Sequence, residues 1–223
     1  MLKKHRPRFL MIAFSCASAL LLLLSACGPQ GTPIASTNSN GQPVRGGVWV
    51  DDLVNEPDSF IPNATIQTFA QEVMQSIYAP LFVGTSDGGI QPGIATAVPT
   101  IANGGVSADA KTWTFHLRPN LVWSDGQPLN ADDVDFTWKL WQNKKFAASN
   151  TTIVNHIASA DVSADKLTIT FHLKDSFAPF LPLWTDGGFA PLPKHYFENI
   201  PPDQIKKSPD NLKPSVTSGP FIM

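Results

Sequence analysis

Two histidines and a run of acidic residues are the side chains best suited, by type and spacing, to do chemistry. His116 and His172 occupy equivalent outward positions on two predicted strands, where a pair of imidazoles could bind a metal ion. The segment from Asp125 to Asp133 is acidic but lacks the spacing of a calcium-binding EF-hand loop. Exposed strand positions explain the histidines better, and turn and helix-cap positions explain the acids better. The sequence therefore predicts no metal site.

The sequence contains none of the common signatures of an enzyme. There is no G-x-S-x-G, H-E-x-x-H, Walker A or G-x-G-x-x-G pattern, and no spacing selects a Ser-His-Asp triad. Six Trp could stack on a ligand, but Trp113, Trp138 and Trp141 fall on apolar faces of predicted elements, which is typical of a core. We therefore predict a protein that is not an enzyme and carries no cofactor.

Cys27 offers a different kind of chemistry, because it follows an export signal. Basic residues precede an apolar run from Phe9 to Leu24, which is shorter than the about 20 residues that cross a membrane. Leu24-Ser25-Ala26-Cys27 then has the form of a bacterial lipobox, in which the Cys thiol receives diacylglycerol and the chain is cleaved before it. We predict a lipoprotein signal peptide at 1–26 and lipidation of Cys27. The alternative is an ordinary secretory signal followed by a chance Cys.

A flexible tether is predicted at 27–45, because this stretch is rich in Gly, Pro, Ser, Thr and Asn and has no apolar period. Acyl chains on Cys27 would anchor the exported chain to the membrane. The sequence leaves a periplasmic and an extracellular face equally open. After the first 26 residues, which hold four of the 16 basic residues and no acidic one, 12 basic residues face 18 acidic ones. This acidic balance argues against nucleic acid as a partner.

Two later segments alternate apolar and polar residues as half-buried strands do. Each follows the letters Val-Ser-Ala-Asp, and they cover 111–118 and 166–174. The similarity of the two segments could reflect a duplication, but similar strand and turn chemistry explains it more simply. Val48, Val50 and Leu53 predict an earlier strand.

Two helices are predicted on either side of the first alternating segment. Apolar residues at Val73, Ile77 and Leu81 share one face of a helix over 70–81, which Pro80 should stop. Over 130–141, Asn130 is a good N-cap, and two Asp in the first turn suit the helix dipole. These elements together predict an α/β protein.

An ordered set of motifs resembles a known family. The chain is similar, from about Gly46 to its last residue, to the extracellular solute-binding proteins of family 5, which include the oligopeptide- and dipeptide-binding lipoproteins of ABC importers. The motifs are Glu56–Phe60, Tyr78–Phe82, Gly89–Ala95, Thr112–Arg118, Trp123–Asp133, Pro191–Tyr196 and Thr217–Phe221.

The resemblance implies a periplasmic-binding-protein-like α/β fold of type II, cluster C, with mixed sheets and flanking helices. It implies that 46–78 plus 177–223 form part of a first lobe and that 79–176 form a smaller inserted domain. Family members are longer, and their second lobe has no counterpart here. We therefore expect an N-terminal fragment or a truncated copy, with weak peptide binding or none.

The resemblance also implies a function and a site. A monomer would capture peptides outside the membrane and deliver them to ABC permease subunits served by a separate ATPase. The positions that match ligand-facing family residues are Ile66, Gln67, Thr68, Ser218 and Gly219; plain loop and strand roles are the alternative for them. A surface lipoprotein without a transport role, or a family member that binds nickel or an oligosaccharide, remains open as the function.

Overall fold

The computed structural model describes residues 52–53, 55–185 and 189–223. The predicted signal peptide, the tether with Cys27, and the strand residues Val48 and Val50 lie outside these residues. Leu53 is described and lies outside any strand. The helices are α1 (Thr68–Ile77), α2 (Ala131–Gln142), α3 (Thr152–His156), α4 (Lys194–Phe197) and α5 (Pro202–Ile205). The strands are β1 (Phe82–Gly84), β2 (Ile90–Pro92), β3 (Thr112–His116), β4 (Ile157–Val162) and β5 (Thr168–Leu173).

The strands form two antiparallel sheets in the described part of the chain. β1 pairs with β2, and the second sheet has the order β3-β5-β4. Both alternating segments are thus confirmed as strands, and they are neighbours, with Trp113 opposite Phe171 and Phe115 opposite Ile169. Because side chains alternate across a strand, these four apolar residues face the core together.

The two Val-Ser-Ala-Asp segments form the same turn. The Ser107 hydroxyl donates to Asp109 Oδ1 at 2.6 Å, and the Ser163 hydroxyl donates to Asp165 Oδ1 at 2.5 Å. In both turns the serine Oγ also accepts a hydrogen bond from the backbone N–H five residues later. Local turn chemistry therefore accounts for the similarity of the two segments.

Helix α1 is shorter at its end than the sequence predicted. It stops at Ile77, and Tyr78 is already extended, with φ −125° and ψ 141°. The physical reason is Pro80, because a proline disfavours helical conformation at the residue before it and so ends a helix early. Leu81 is fully buried, but it lies beyond the helix rather than on its face.

Helix α2 agrees closely with the sequence. Asn130 Oδ1 accepts from the Asp132 N–H at 2.9 Å, and the Asp133 side chain accepts from the Asn130 N–H, so the two residues form a capping box. Trp138 and Trp141 lie on the buried side of α2, as predicted.

Aromatic rings fill the core between the three-stranded sheet and the segments that cover it. The Phe115 ring lies within 5.1–6.4 Å of four other ring centroids, those of Phe82, Phe171, Phe180 and Trp184. Aromatic pairs at such separations stabilise a core beyond the area that they bury. One continuous cluster of buried apolar residues runs from Phe60 to Val216 and includes Met74 and Ile77, so the second half of α1 packs on this core.

Candidate functional site

The first three predicted site residues lie at the start of helix α1. The Ile66 side chain is 75% exposed, although it is large and apolar. Gln67 is the N-cap residue; its backbone N–H donates to Thr65 Oγ1 at 3.0 Å, and its Oε1 accepts from the Asp58 N–H at 3.0 Å. Thr68 is the first helical residue. The side chain of Gln67 therefore ties the helix start to the preceding turn.

Backbone donors at this helix start have no partner in the described part of the chain. No side chain caps the helix, its first turn holds no acidic residue, and the N–H groups of Thr68, Phe69 and Ala70 donate to no described acceptor. The aligned peptide dipoles place a partial positive charge at this end of α1. These N–H groups can therefore donate hydrogen bonds to carbonyl or carboxylate oxygens of a bound ligand.

The other two predicted site residues lie at the opposite end of α1. The backbone N–H groups of Ser218 and Gly219 donate to Ile77 O at 3.1 and 2.8 Å, and Ser218 Oγ accepts from Ala79 N–H at 3.0 Å. A ten-residue helix separates its two ends by about 14 Å. The structure thus connects all five predicted residues through one helix without bringing the two groups together.

Gly219 packs directly on the backbone at the end of α1. A Cβ at this position would lie 2.5 Å from Ile77 C, 2.6 Å from Ser76 O and 2.8 Å from Tyr78 N. No side chain can occupy that space without moving the backbone. The observed contacts of Gly219 therefore hold the helix in place.

Asn63 positions the segment that leads to Ile66. It is 2% exposed and adopts a left-handed conformation with φ 59°. Its side chain donates to Asn150 O and accepts from Asn150 N–H, both at 2.8 Å, and its carbonyl accepts from Ser149 N–H. No sequence pattern predicts this contact, because the two partners are 87 residues apart.

Asp133 is the centre of a fully bonded cluster that sequence reasoning recognised only as a cap. Besides the Asn130 N–H, its carboxylate accepts from Trp123 Nε1 at 3.3 Å and from Lys194 N–H at 2.9 Å. Burial raises the pKa of the Asp133 carboxyl above its ordinary value, although these hydrogen bonds act in the opposite direction. The cluster joins α2, the Trp123 turn and α4, so the Trp123–Asp133 motif has a structural role.

Asp125 and His195, which lie near this cluster in the sequence motifs, pair with each other and not with Asp133. Asp125 Oδ1 accepts from Gln127 N–H within its turn, and Asp125 Oδ2 contacts His195 Nε2 at 2.8 Å. Burial works against ionisation of Asp125, but the hydrogen bonds from His195 and Gln127 outweigh it and keep the pKa of Asp125 below its ordinary value. These contacts are those of turn and cap residues.

His116 and His172 do not face each other on the sheet. His116 Nδ1 lies 3.0 Å from Thr168 Oγ1, whereas His172 Nε2 lies 2.9 Å from Asp161 Oδ2. In the antiparallel pair of β3 and β5, His116 is opposite Thr168 and His172 is opposite Thr112, at the two ends of the ladder. Among residues 52–53, 55–185 and 189–223, no three His, Cys, Asp or Glu side chains are grouped as metal ligands would be.

Comparison with known proteins decides the family. Residues 89–223 match the model of the bacterial extracellular solute-binding proteins, family 5 Middle. The chain belongs to this family. Oligopeptide-binding protein AppA of Bacillus subtilis is 25% identical over 229 residues, covering 99% of this chain and 39% of AppA. The family of the chain, as the sequence motifs predicted it, is confirmed.

Solved structures confirm the fold. The Haemophilus influenzae OppA complex with the peptide RPPGFSPFR has a TM-score of 0.62 and 25% identity, over 75% of this chain and 34% of OppA. Bacillus subtilis AppA in complex with a nonapeptide has a TM-score of 0.66 and 22% identity, over 76% of this chain and 32% of AppA. The fold is therefore that of the type II periplasmic binding proteins, and the chain spans about one third of these solved chains.

The family consists of extracellular solute-binding proteins, and its relatives here are oligopeptide-binding proteins rather than enzymes. In the part of the chain that the structure describes, every helix is too short or too polar to cross a membrane.

Proposed function

We propose that this chain takes part in capturing peptides outside the membrane and delivering them to an ABC permease that a separate ATPase serves. Family membership and the oligopeptide-binding relatives support this function. The peptide-bound state of the structurally similar OppA protein supports peptides as the solute class. In this proposal the chain works as a monomer and contributes one wall of the peptide site.

The backbone donors without a described acceptor at the start of α1 are the observation that carries the proposal. An extended peptide can be held largely by main-chain hydrogen bonds, as an added β-strand is, so its own side chains can vary. Ile66, Gln67 and Thr68 present backbone groups and one exposed apolar side chain to such a ligand. Ligand contact by Ser218 and Gly219 stays a prediction, because their observed contacts are to the end of α1.

A proline at position 68 tests these donors with little disturbance of the helix. Thr68 is the first helical residue, where proline is well tolerated, and Gln67 already has the extended conformation (φ −70°, ψ 120°) that a following proline requires. Thr68→Pro therefore removes one N–H donor, whereas Thr68→Ala removes the side chain and keeps that donor.

The measurement is a titration of labelled RPPGFSPFR with the whole chain, followed by fluorescence anisotropy. We expect the unaltered chain, which spans about one third of OppA, to bind weakly but saturably. Thr68→Pro should weaken this binding about tenfold, which corresponds to one lost hydrogen bond to a charged or buried acceptor. Thr68→Ala should bind as the unaltered chain does. Equal affinities for the proline and alanine variants would refute the role of the donor, and no saturable binding by any of them would refute peptide capture by this chain.

We further propose that residues 1–26 are a lipoprotein signal peptide, that Cys27 is lipidated and that 27–45 is the tether. The order of basic residues, apolar run and lipobox in the sequence supports this. The lobe assignment, with 46–78 plus 177–223 in one lobe and 79–176 inserted, is proposed on the resemblance alone.

The two cysteines of the chain provide a matched test of lipidation. In cells fed labelled palmitate, the unaltered chain and Cys16→Ser should take up label, and Cys27→Ser should take up none. Label on Cys27→Ser would contradict the proposed anchor.

A further inference from the structure

The segment 58–67, which leads into helix α1, is held by a residue from the far end of the chain. Asn211 contacts three consecutive residues at the beginning of this segment. Its carbonyl accepts from the Phe60 N–H at 2.7 Å, its Oδ1 accepts from the Ser59 hydroxyl at 2.7 Å, and its Nδ2 donates to Asp58 O at 2.8 Å. The partners of its side chain are 152 and 153 positions away, so the contact belongs to the tertiary structure and not to a local turn.

Asp58 connects Asn211 to the start of α1. The Asp58 N–H donates to Oε1 of Gln67, the N-cap residue of the helix, at 3.0 Å. Asp58 therefore binds Asn211 through its carbonyl and Gln67 through its N–H. The Asn211 side chain is thus linked, through one intervening residue, to the place where the exposed Ile66 side chain precedes the helix.

Burial explains only part of this arrangement. Ser59 and Phe60 are 3% and 7% exposed, so their hydrogen-bond donors need an acceptor inside the protein, and Asn211 supplies it. Asp58 is exposed, so water can serve both its carbonyl and its N–H. The two hydrogen bonds of Asp58 satisfy no buried group, and their effect is to restrict the conformation of the segment.

Asn211 is itself held in a fixed position. It ends a short 3-10 turn over Pro209–Asn211. The preceding residue, Asp210, is 6% exposed, and its carboxylate accepts from the Tyr196 hydroxyl and from the Ser215 N–H, both at 3.0 Å. The Asn211 side chain therefore extends from a well-supported part of the backbone.

The segment is thus fixed at 58–60, at Asn63 and at Gln67 before any ligand arrives. A binding segment that is already ordered loses less conformational entropy when its ligand binds. We propose that Asn211 is a positioning residue for peptide binding, which sets the conformation of the α1 start through Asp58 and Gln67. This inference rests on the proposed function, because it takes the start of α1 to be the peptide contact.

Titration of labelled RPPGFSPFR with the whole chain tests this role, with Kd values compared at equal concentrations of folded chain, measured by circular dichroism. We expect Asn211→Ala to raise Kd about fivefold, the effect of one ordinary hydrogen bond. Asn103→Ala is the matched control, because the Asn103 side chain makes three hydrogen bonds, all within 98–105. It should leave Kd unchanged.

A double variant separates positioning from a merely structural role. If Asn211 acts through Gln67, Asn211→Ala should change Kd less than about twofold in a chain that already carries Gln67→Ala, whereas independent effects would multiply. Asn211→Asp has the same shape but no donor for Asp58 O, so it serves if the alanine variant does not fold, and it should also raise Kd.

The outcomes for Asn211 and for the peptide site are distinguishable. An unchanged Kd for Asn211→Ala and Asn211→Asp, or effects of Asn211→Ala and Gln67→Ala that multiply in full, would overturn the positioning role and leave the proposed function intact. No saturable binding by the unaltered chain would refute the proposed function and this inference together.

Discussion

The cluster around Asp133 and the start of helix α1 differ in whether their polar groups have hydrogen-bond partners among the described residues. Asp133 is 4% exposed, and its carboxylate accepts from two backbone N–H groups and one indole N–H. At the start of α1, three backbone N–H groups have no acceptor in the described residues, beside an Ile66 side chain that is 75% exposed. The first region stabilises the fold, whereas the second supports the proposed peptide contact.

This difference explains why the motifs of the chain say little about its ligand. The Trp123–Asp133 motif specifies side chains because side chains make its contacts. The start of α1 offers backbone groups, which nearly every residue type supplies. A protein that binds many peptides gains from such a surface, because main-chain recognition tolerates variable side chains.

The largest effect is expected from Asp133→Ala. It leaves one buried and two partly buried donors without an acceptor, so the free energy of unfolding should fall by about 3–5 kcal/mol in urea denaturation. Asp132→Ala is the matched control, since Asp132 makes a partly exposed ion pair with Lys166 at 2.8 Å. Its loss should cost about 1 kcal/mol or less. A change below about 1 kcal/mol for Asp133→Ala would show that the cluster does not stabilise the fold.

Gly219→Ala should have the next largest effect, because the new Cβ meets backbone atoms of Ser76, Ile77 and Tyr78. We expect a loss of about 1–3 kcal/mol in the same denaturation measurement, as overpacking usually gives. In Gly84→Ala the new Cβ has only Thr185 Oγ1 nearby, at 3.8 Å, so that variant should change little. If the two variants were equally stable, the contacts of Gly219 would not hold α1 in place.

A comparison of the pKa values of Asp133 and Asp165 shows whether burial or hydrogen bonding has the larger effect on the pKa of Asp133. Asp165 is exposed, and hydrogen bonds from the Ser163 hydroxyl and the Leu167 N–H lower its pKa. Its stabilising contribution is present above its ordinary pKa and is lost as the pH falls through the folded value. Asp133 has a raised pKa, so its contribution is present at low pH and is lost as the pH rises through the folded value.

NMR titration of the two carboxyl groups measures both pKa values directly. Ser163→Ala should raise the pKa of Asp165 towards its ordinary value and leave that of Asp133 unchanged. A pKa of Asp133 below its ordinary value would contradict the dominance of burial in the cluster.

Local patterns predicted the helices α1 and α2 and the strands β3 and β5, but not the other described helices and strands or the contacts between distant residues. The cap at Asn130 and the alternation in β3 and β5 depend on neighbours in sequence, so they could be recognised. The hydrogen bond from Lys194 N–H to Asp133 joins residues that are 61 positions apart, and no spacing in the sequence predicts it. The same holds for the contact of Gly219 with the end of α1.

The candidate site was found through resemblance rather than through a residue pattern. Ile66, Gln67 and Thr68 have no periodicity or charge that marks a binding surface. The donors at Thr68, Phe69 and Ala70 that lack a described acceptor follow from where α1 begins and from the missing cap, which are properties of the backbone conformation. Sequence alone places a helix boundary too imprecisely for that inference.

Hydrogen exchange at the start of α1 tests the central claim most directly. The amide protons of Thr68 and Phe69 should exchange rapidly in the free chain, because they donate to no described acceptor and neither residue is buried. Adding RPPGFSPFR should slow their exchange, while the amides of Asn130 and Lys194, already bonded to Asp133, keep their rates. Binding of the peptide with no protection at Thr68 and Phe69 would contradict the claim that the start of α1 holds the peptide.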